Sequence, residues 1–303
     1  MKQHEISVKT LNADAVSWID QLRQVMCIQS KGKGTVKSYS AEMTLLFKYY
    51  NHLPVADITQ QDIEQYIVFI KTVHQVGRAK CRSVASACSF FYKRVIKMPY
   101  VLPSSLYPQK QFILPNIMGQ QEVAQLFGAP LTLKEYCVLG LLYGSGLRIS
   151  EVAALRIIDI EGEARRLKVF QGKGAKDRYT LLSCNLLHQL RQFYVAAERP
   201  KEFLFTSRQT GRAYHSRSMQ LVVKGAMKKA GFAEKGYTSH TLRHSFATHM
   251  LDNGSNIHVI KTLLGHSKLE TTMVYLHLQQ HTQYGIVSPL DKLLGSSDGT
   301  ATT

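Results

Sequence analysis

Towards the C-terminal end of the chain, His240-Thr-Leu-Arg243 is followed by Leu264-Gly265-His266 and, nine positions on, by Tyr275 in Thr-Thr-Met-Val-Tyr-Leu-His. A guanidinium, two imidazoles and a phenol in that order suit phosphoryl transfer onto a tyrosine. A free phenol has a pKa of about 10 and is a poor nucleophile at neutral pH, so it needs neighbouring positive charge to stabilise its oxyanion. Arg243 and the histidines can supply that field.

Local helix signals show how these residues could meet. Thr238 or Ser239 can cap a helix that carries His240 and Arg243 at i and i+3 on one face, near the N-terminus, where an anionic phosphate is favoured. A second helix follows Asp252-Asn-Gly254, with Ile257, Ile260, Leu263 and Leu264 on its buried side and Gly265 as its stop, which leaves His266 in a turn. Ser267 and Glu270 read as an S-x-x-E capping box opening a third helix, with Tyr275 about two turns into it.

At these residues the chain resembles the tyrosine recombinase (phage integrase) family, with Xer-like and integron-integrase-like traits. Gly144-Ser-Gly146-Leu-Arg148-Ile-Ser-Glu151 is similar to the family's first arginine box, and Val169-Phe-Gln-Gly172-Lys173-Gly174-Ala-Lys-Asp-Arg178 to its lysine hairpin. The resemblance implies a catalytic set of Arg148, Lys173, His240, Arg243, His266 and Tyr275, with Tyr275 as nucleophile and Lys173 as general acid. It covers roughly residues 114–290 well and the N-terminal third in outline. Ser288-Pro-Leu-Asp291 resembles the end of integron-type integrases, but the insertion those enzymes carry is absent between Arg178 and Ser239. That places the chain nearer the Xer and phage-type members.

Charge accounting gives the expected mechanism. Attack by Tyr275 on a DNA phosphodiester builds negative charge on a five-coordinate phosphorus, and Arg148 and Arg243 can grip its non-bridging oxygens with planar forks. His240 and His266 would supply hydrogen bonds and proton transfer. The resemblance implies a 3′-phosphotyrosyl link, a free 5′ hydroxyl and no metal or other cofactor. It also implies double-stranded DNA recombination sites as partners, a homo-tetramer on paired sites, and service to a mobile genetic element or a chromosome. A type IB topoisomerase and a catalytically silent DNA-binding protein are the alternatives. The four-helix N-terminal third disfavours the first, and the complete catalytic set the second.

Composition agrees with a nucleic-acid enzyme. The 303 residues carry 38 Lys and Arg against 21 Asp and Glu, a formal charge of +17. Basic residues outnumber acidic ones on both sides of residue 115, as a protein that encloses a duplex requires. Cys27, Cys81, Cys88, Cys137 and Cys184 are scattered without C-x-x-C spacing, which suggests neither a disulfide framework nor a zinc site. With no apolar leader and no membrane-length apolar run, a cytoplasmic location is expected. His240, His244 and His249 form a histidine cluster without a carboxylate, and a helix turns His249 away from the other two. His244 and His249 therefore read as packing or surface histidines. Tyr284 lacks the nine-residue interval from His266 and is the weaker nucleophile.

The elements that must position this set divide the chain. Pro99, Pro103, Pro108 and Pro115 punctuate a stretch without helical period. The expected organisation is an N-terminal DNA-binding domain over residues 1–105, a linker over 106–115, a catalytic domain over 116–294 and a disordered tail over 295–303. The fold class is mainly α with a small antiparallel β-sheet: a four-helix SAM-like core-binding domain followed by an α+β catalytic domain. Four amphipathic helices are marked by Trp18, Ile19, Leu22 and Met26; by Val36, Tyr39, Met43, Phe47 and Tyr50; by Ile63, Tyr66, Ile67 and Ile70; and by Val84, Cys88, Phe91 and Val95. Aromatic residues at that spacing belong to the core, and Thr59 to Asp62 reads as a capped helix start. Beyond the linker, helices over Gln121–Phe127 and Glu135–Tyr143 precede two strands, Arg165–Phe170 and Arg178–Leu182, around the Gly172-Lys-Gly174 turn. Helices return over Leu186–Ala197 and Ser216–Ala230. Leu290–Leu294 could form a short helix by which protomers hold one another.

Overall fold

A computed structural model of the chain describes residues 10–98, 114–170, 177–207 and 210–278. Lys173 and its turn, Tyr284, residues 290–294, the 295–303 tail and most of the expected linker lie outside these segments. The chain divides into two compact units, Met1–Phe112 and Ile113–Thr303.

Among its described residues the first unit holds four α-helices, α1 (Ala13–Ile28), α2 (Lys33–Tyr49), α3 (Gln60–Thr72) and α4 (Arg78–Phe91). Asn12 caps α1, its side chain accepting from the Ala15 N–H at 2.7 Å. Thr59 and Asp62 form the capping box that their spacing suggests at α3, the Asp62 carboxylate accepting from the Thr59 N–H at 2.8 Å. The apolar faces meet in a core of Leu22, Met26, Met43, Phe47, Ile63, Cys88 and Phe91. Each such side chain removed from water contributes about 1.5–3 kcal/mol. Phe91 anchors the packing, edge-on to Trp18 at 6.1 Å and to Phe47 at 5.4 Å between ring centres. Val95, expected in the fourth helix, lies instead in a π-helical turn, Tyr92–Ile96, which ends at Lys97 with φ 64°. The helix has to end there because Pro99 cannot continue it.

The second unit is built around α6 (Leu133–Gly144), buried on every side over Cys137–Leu142 and capped by a Thr132–Glu135 box. Against it pack α8 (Cys184–Ala196), α9 (Ser216–Lys229) and α10 (Ser239–Asp252), while α5 (Gln120–Gly128) and the short α7 (Ile149–Ala153) complete this layer. The sheet is antiparallel, in the order β1 (Ile160–Glu161), β2 (Arg166–Val169) and β3 (Arg178–Leu181). Leu167 stands opposite Thr180 and Val169 opposite Arg178, and these four side chains face inward. Sequence patterning misses β1, because two residues show no alternation.

The expected cluster of short helices closes the unit, with one correction. Thr238 caps α10, accepting from the His240 and Thr241 N–H groups, and α11 (Ile257–Leu264) ends at Gly265 in the left-handed region at φ 66°. Ser267 and Glu270 do not form a capping box. The third helix, α12, spans only Glu270–Met273, with Leu269 at its N-cap and no side-chain cap bond. Tyr275 therefore lies beyond that helix, its N–H donating to the Thr272 carbonyl at 3.0 Å. Thr271, Thr272 and Val274 are β-branched and support only one turn of helix. Among the described residues no helix is long and apolar enough to cross a membrane.

Candidate active site

The first arginine box folds as it does because of its glycine. Gly146 has φ +63°, and a Cβ there would lie 2.5 Å from Cδ1 of Phe246. The chain can therefore pass under the Phe246 ring only without a side chain, and two residues later it delivers Arg148 to the N-cap of α7. Glu151 closes the box, accepting from the Arg148 N–H and from Arg148 Nη1, both at 2.8 Å.

Glu151 also holds the rest of the cationic frame. Arg178 donates through Nη1 and Nη2 to its two oxygens at 3.0 and 2.7 Å, and Arg243 Nη1 lies 3.8 Å from Oε2. Burial works to raise the Glu151 pKa, but the Arg178 fork and the Arg148 bonds overcome it and hold the carboxyl at about 2. Arg243 is 4% exposed and donates to the carbonyls of Gly146 and Leu264. Burial, helped by Arg148, lowers its pKa to about 10, which leaves it charged at neutral pH.

His266 follows Gly265 directly. Its Nδ1 lies 3.0 Å from Thr272 Oγ1, its Nε2 lies 3.4 Å from Arg243 Nη2, and its ring stacks on Tyr275 at 6.3 Å and 16°. Burial and then Arg243 lower its pKa to about 4, so the ring is neutral. Tyr275 is 2% exposed. Burial raises its pKa, with Arg243 and Arg148 acting in the opposite direction, so in the empty site desolvation outweighs the arginine field.

Arg148, His240, Arg243, His266 and Tyr275 thus border one hollow of about 350 Å³. Of the six residues singled out by sequence, Lys173 is the one outside the described segments. His240 is exposed on the first turn of α10. His244, read from sequence as a packing or surface residue, also borders the hollow, and its Nδ1 lies 3.0 Å from Tyr275 Oη. Its i+4 spacing from His240 was the available signal, since that spacing puts the two on one helix face. His249 is buried, bonded to Tyr143 Oη at 2.9 Å. Glu151, Arg178 and Thr272 were visible within the motifs, but spacing alone assigned them no task. Their value comes from contacts between distant segments.

The arrangement offers two forked cations, a neutral imidazole on the phenol, and an anion that balances part of the charge. It suits binding of a phosphodiester beside a tyrosine oxygen.

Residues 116–282 match the phage integrase family, and residues 18–101 match the phage integrase N-terminal SAM-like domain. A putative integrase/recombinase of Sinorhizobium fredii is 32% identical over 90% of this chain and 88% of its own length. A tyrosine recombinase of Thermosipho africanus is 31% identical over 87% of this chain and 95% of its own. Among solved structures, a XerA recombinase aligns with TM-score 0.52 and 25% identity over 89% of this chain and 95% of that one. XerH bound to a palindromic difH substrate aligns with TM-score 0.65 and 18% identity over 88% of this chain and 80% of that one, a likeness of fold.

Proposed function

The chain belongs to the phage integrase family as a tyrosine site-specific recombinase, and from that premise we propose that it cuts and rejoins duplex DNA through a 3′-phosphotyrosyl bond to Tyr275. The observation that carries this reading is the position of Tyr275 on the hollow bordered by Arg148 and Arg243. A phosphodiester in that hollow would have its non-bridging oxygens held by two guanidinium forks and its phosphorus in line with the phenol. The bound anion offsets part of the arginine field at the phenol, so the forks must be well aimed, and Glu151 provides that aim.

Lys173 protonates the leaving 5′ oxygen in this mechanism, an assignment that rests on its place in the lysine motif. His266 donates to the phosphate, and His240, exposed at the rim, contacts the DNA entering the site. The energy of the broken bond stays in the phosphotyrosyl link, so the 5′ hydroxyl of another strand can reverse the step without ATP. The cations are side chains, so no metal ion takes part. The basic N-terminal helical unit shares the grip on DNA, over residues 1–105 and joined by a linker at 106–115 to the catalytic domain at 116–294. Two duplexes are exchanged within a tetramer. The Xer and integrase complexes with DNA among the structural relatives support DNA sites as the substrate.

A nicked suicide substrate tests the reading. The natural protein should form a denaturant-resistant complex with it in excess EDTA, and Tyr275→Phe should bind the site but form none. A complex with Tyr275→Phe would move the nucleophile elsewhere, and a need for a divalent ion would reject the side-chain cation mechanism.

A further inference from the structure

We propose that His244 is the general base of this reaction, its Nδ1 taking the phenolic proton of Tyr275 as the oxygen attacks phosphorus and returning it on rejoining. The inference rests on the reading of Tyr275 as nucleophile. Among the described residues, His244 is the side chain that hydrogen-bonds the Tyr275 hydroxyl, at 3.0 Å between Nδ1 and Oη. The hydroxyl belongs to a residue only 2% exposed, so bulk water is poorly placed to remove its proton. His240, the histidine the motif would suggest for this task, is exposed one turn earlier, with its ring centre 6.4 Å from that of His244.

The helix explains the placement. Arg243 and His244 are consecutive on α10, so the same rigid backbone holds a phosphate-gripping cation and a group on the nucleophile. The groups that face His244 are His240 and Arg243 on its own helix, Tyr275 from the segment after α12, and His266 from the turn after α11. Burial, then His240 and Arg243, lower the His244 pKa to about 4, so at neutral pH it is an unprotonated acceptor. It is a weak base while the site is empty. A bound phosphodiester brings a negative charge, and the five-coordinate transition state a second, which opposes those causes and raises the proton affinity of the ring when the phenol must ionise. The step balances: the Tyr275 O–H bond breaks with its proton going to Nδ1, and the Oη–P bond forms. The P–O5′ bond breaks with its electron pair on the 5′ oxygen, which Lys173 protonates in the mechanism above.

Single-turnover cleavage of two suicide substrates, one with the normal bridging 5′ oxygen and one with sulfur there, separates a base from a packing residue. Sulfur leaves without protonation, so it relieves loss of an acid and not of a base. His244→Ala should slow both substrates by a similar ~10²- to 10⁴-fold while binding the duplex site normally. His244→Asn keeps a polar group of similar reach but cannot carry a proton, and it should be as slow as His244→Ala to within about tenfold. Near-natural rates for His244→Asn would make His244 a positioning residue only. Recovery of His244→Ala on the sulfur substrate, or no loss in either variant, would likewise overturn the proposal. Tyr275→Phe in the same assay keeps the two readings apart. A covalent complex there rejects the nucleophile itself, whereas its absence beside fully active His244 variants rejects only the base.

Discussion

Arg178 and Glu151, 27 positions apart, form a two-bond fork at 3.0 and 2.7 Å, while Arg178 Nε donates to the Leu263 carbonyl at 2.8 Å. One guanidinium thus ties the arginine box, the last strand and the end of α11 together. Both side chains are almost wholly buried, so removing the charge of one strands the other. Glu151→Gln should destabilise the catalytic unit by about 3–5 kcal/mol, seen as a lower denaturant midpoint with an unchanged slope. It should also lower cleavage, since Arg148 loses the carboxylate that aims it.

The same charges set the acid behaviour. Glu151 has a folded pKa of about 2, below that of a free carboxyl, so its contribution is complete above about pH 4.5 and is lost as pH falls towards 2. His244 and His266 have folded pKa values of about 4 against 6.5 in an unfolded chain, so acid favours the unfolded state from about pH 6.5 downward. The melting temperature should therefore decline in two stages, first between pH 6.5 and 4 and again below about 4.5. A melting temperature independent of pH between 6.5 and 4 would show that the two imidazoles are not buried neutral.

Local chemistry was the most legible part of the sequence. Thr59 with Asp62, Thr238 and Gly265 mark helix ends by contacts within four residues, and all three act as their types imply. Ser267 and Glu270 have the same spacing as a working box yet cap nothing, because the β-branched run after them makes too short a helix to reward the cap. The catalytic hollow was legible as a set of residues, since each lies in its own short motif. Its wiring was not. Glu151 to Arg178 and His244 to Tyr275 span 27 and 31 positions, and such pairings follow from how α7, β3, α10 and the Tyr275 segment pack.

Gly146 offers a test of backbone geometry apart from charge. With φ +63° and Phe246 Cδ1 only 2.5 Å from where a Cβ would stand, Gly146→Ala meets both left-handed strain of about 1–2 kcal/mol and a clash with a buried ring. It should cost about 3 kcal/mol or more in unfolding free energy. Cleavage should fall further than stability explains, because Arg148 stands two residues on and Arg243 bonds the Gly146 carbonyl. Gly211, also at positive φ but with nothing near its Cβ position, is the control: Gly211→Ala should show only the strain and leave cleavage unchanged.

Thr272 can partner His266 Nδ1 in either tautomer of the ring. Arg243 has only donors, so its contact with Nε2 makes that nitrogen an acceptor and leaves the hydrogen on Nδ1, which donates to Thr272 Oγ1 at 3.0 Å. To donate to a phosphate through Nε2, His266 must hold the other tautomer, and then the Thr272 hydroxyl has to turn and donate to Nδ1. A hydroxyl can serve both states; a methyl can serve neither. Thr272→Val fills the same fully buried space but leaves Nδ1 without a partner, a cost of about 1–3 kcal/mol. Much of that cost should appear in the transition state, as a roughly tenfold or greater loss in the single-turnover cleavage rate with duplex binding unchanged. Thr272→Ser keeps the hydroxyl and should stay within a few-fold of the natural rate. A near-natural rate for Thr272→Val beside a slow Thr272→Ser would mean that the methyl's packing, and not the hydroxyl's hydrogen bond, is what the site requires.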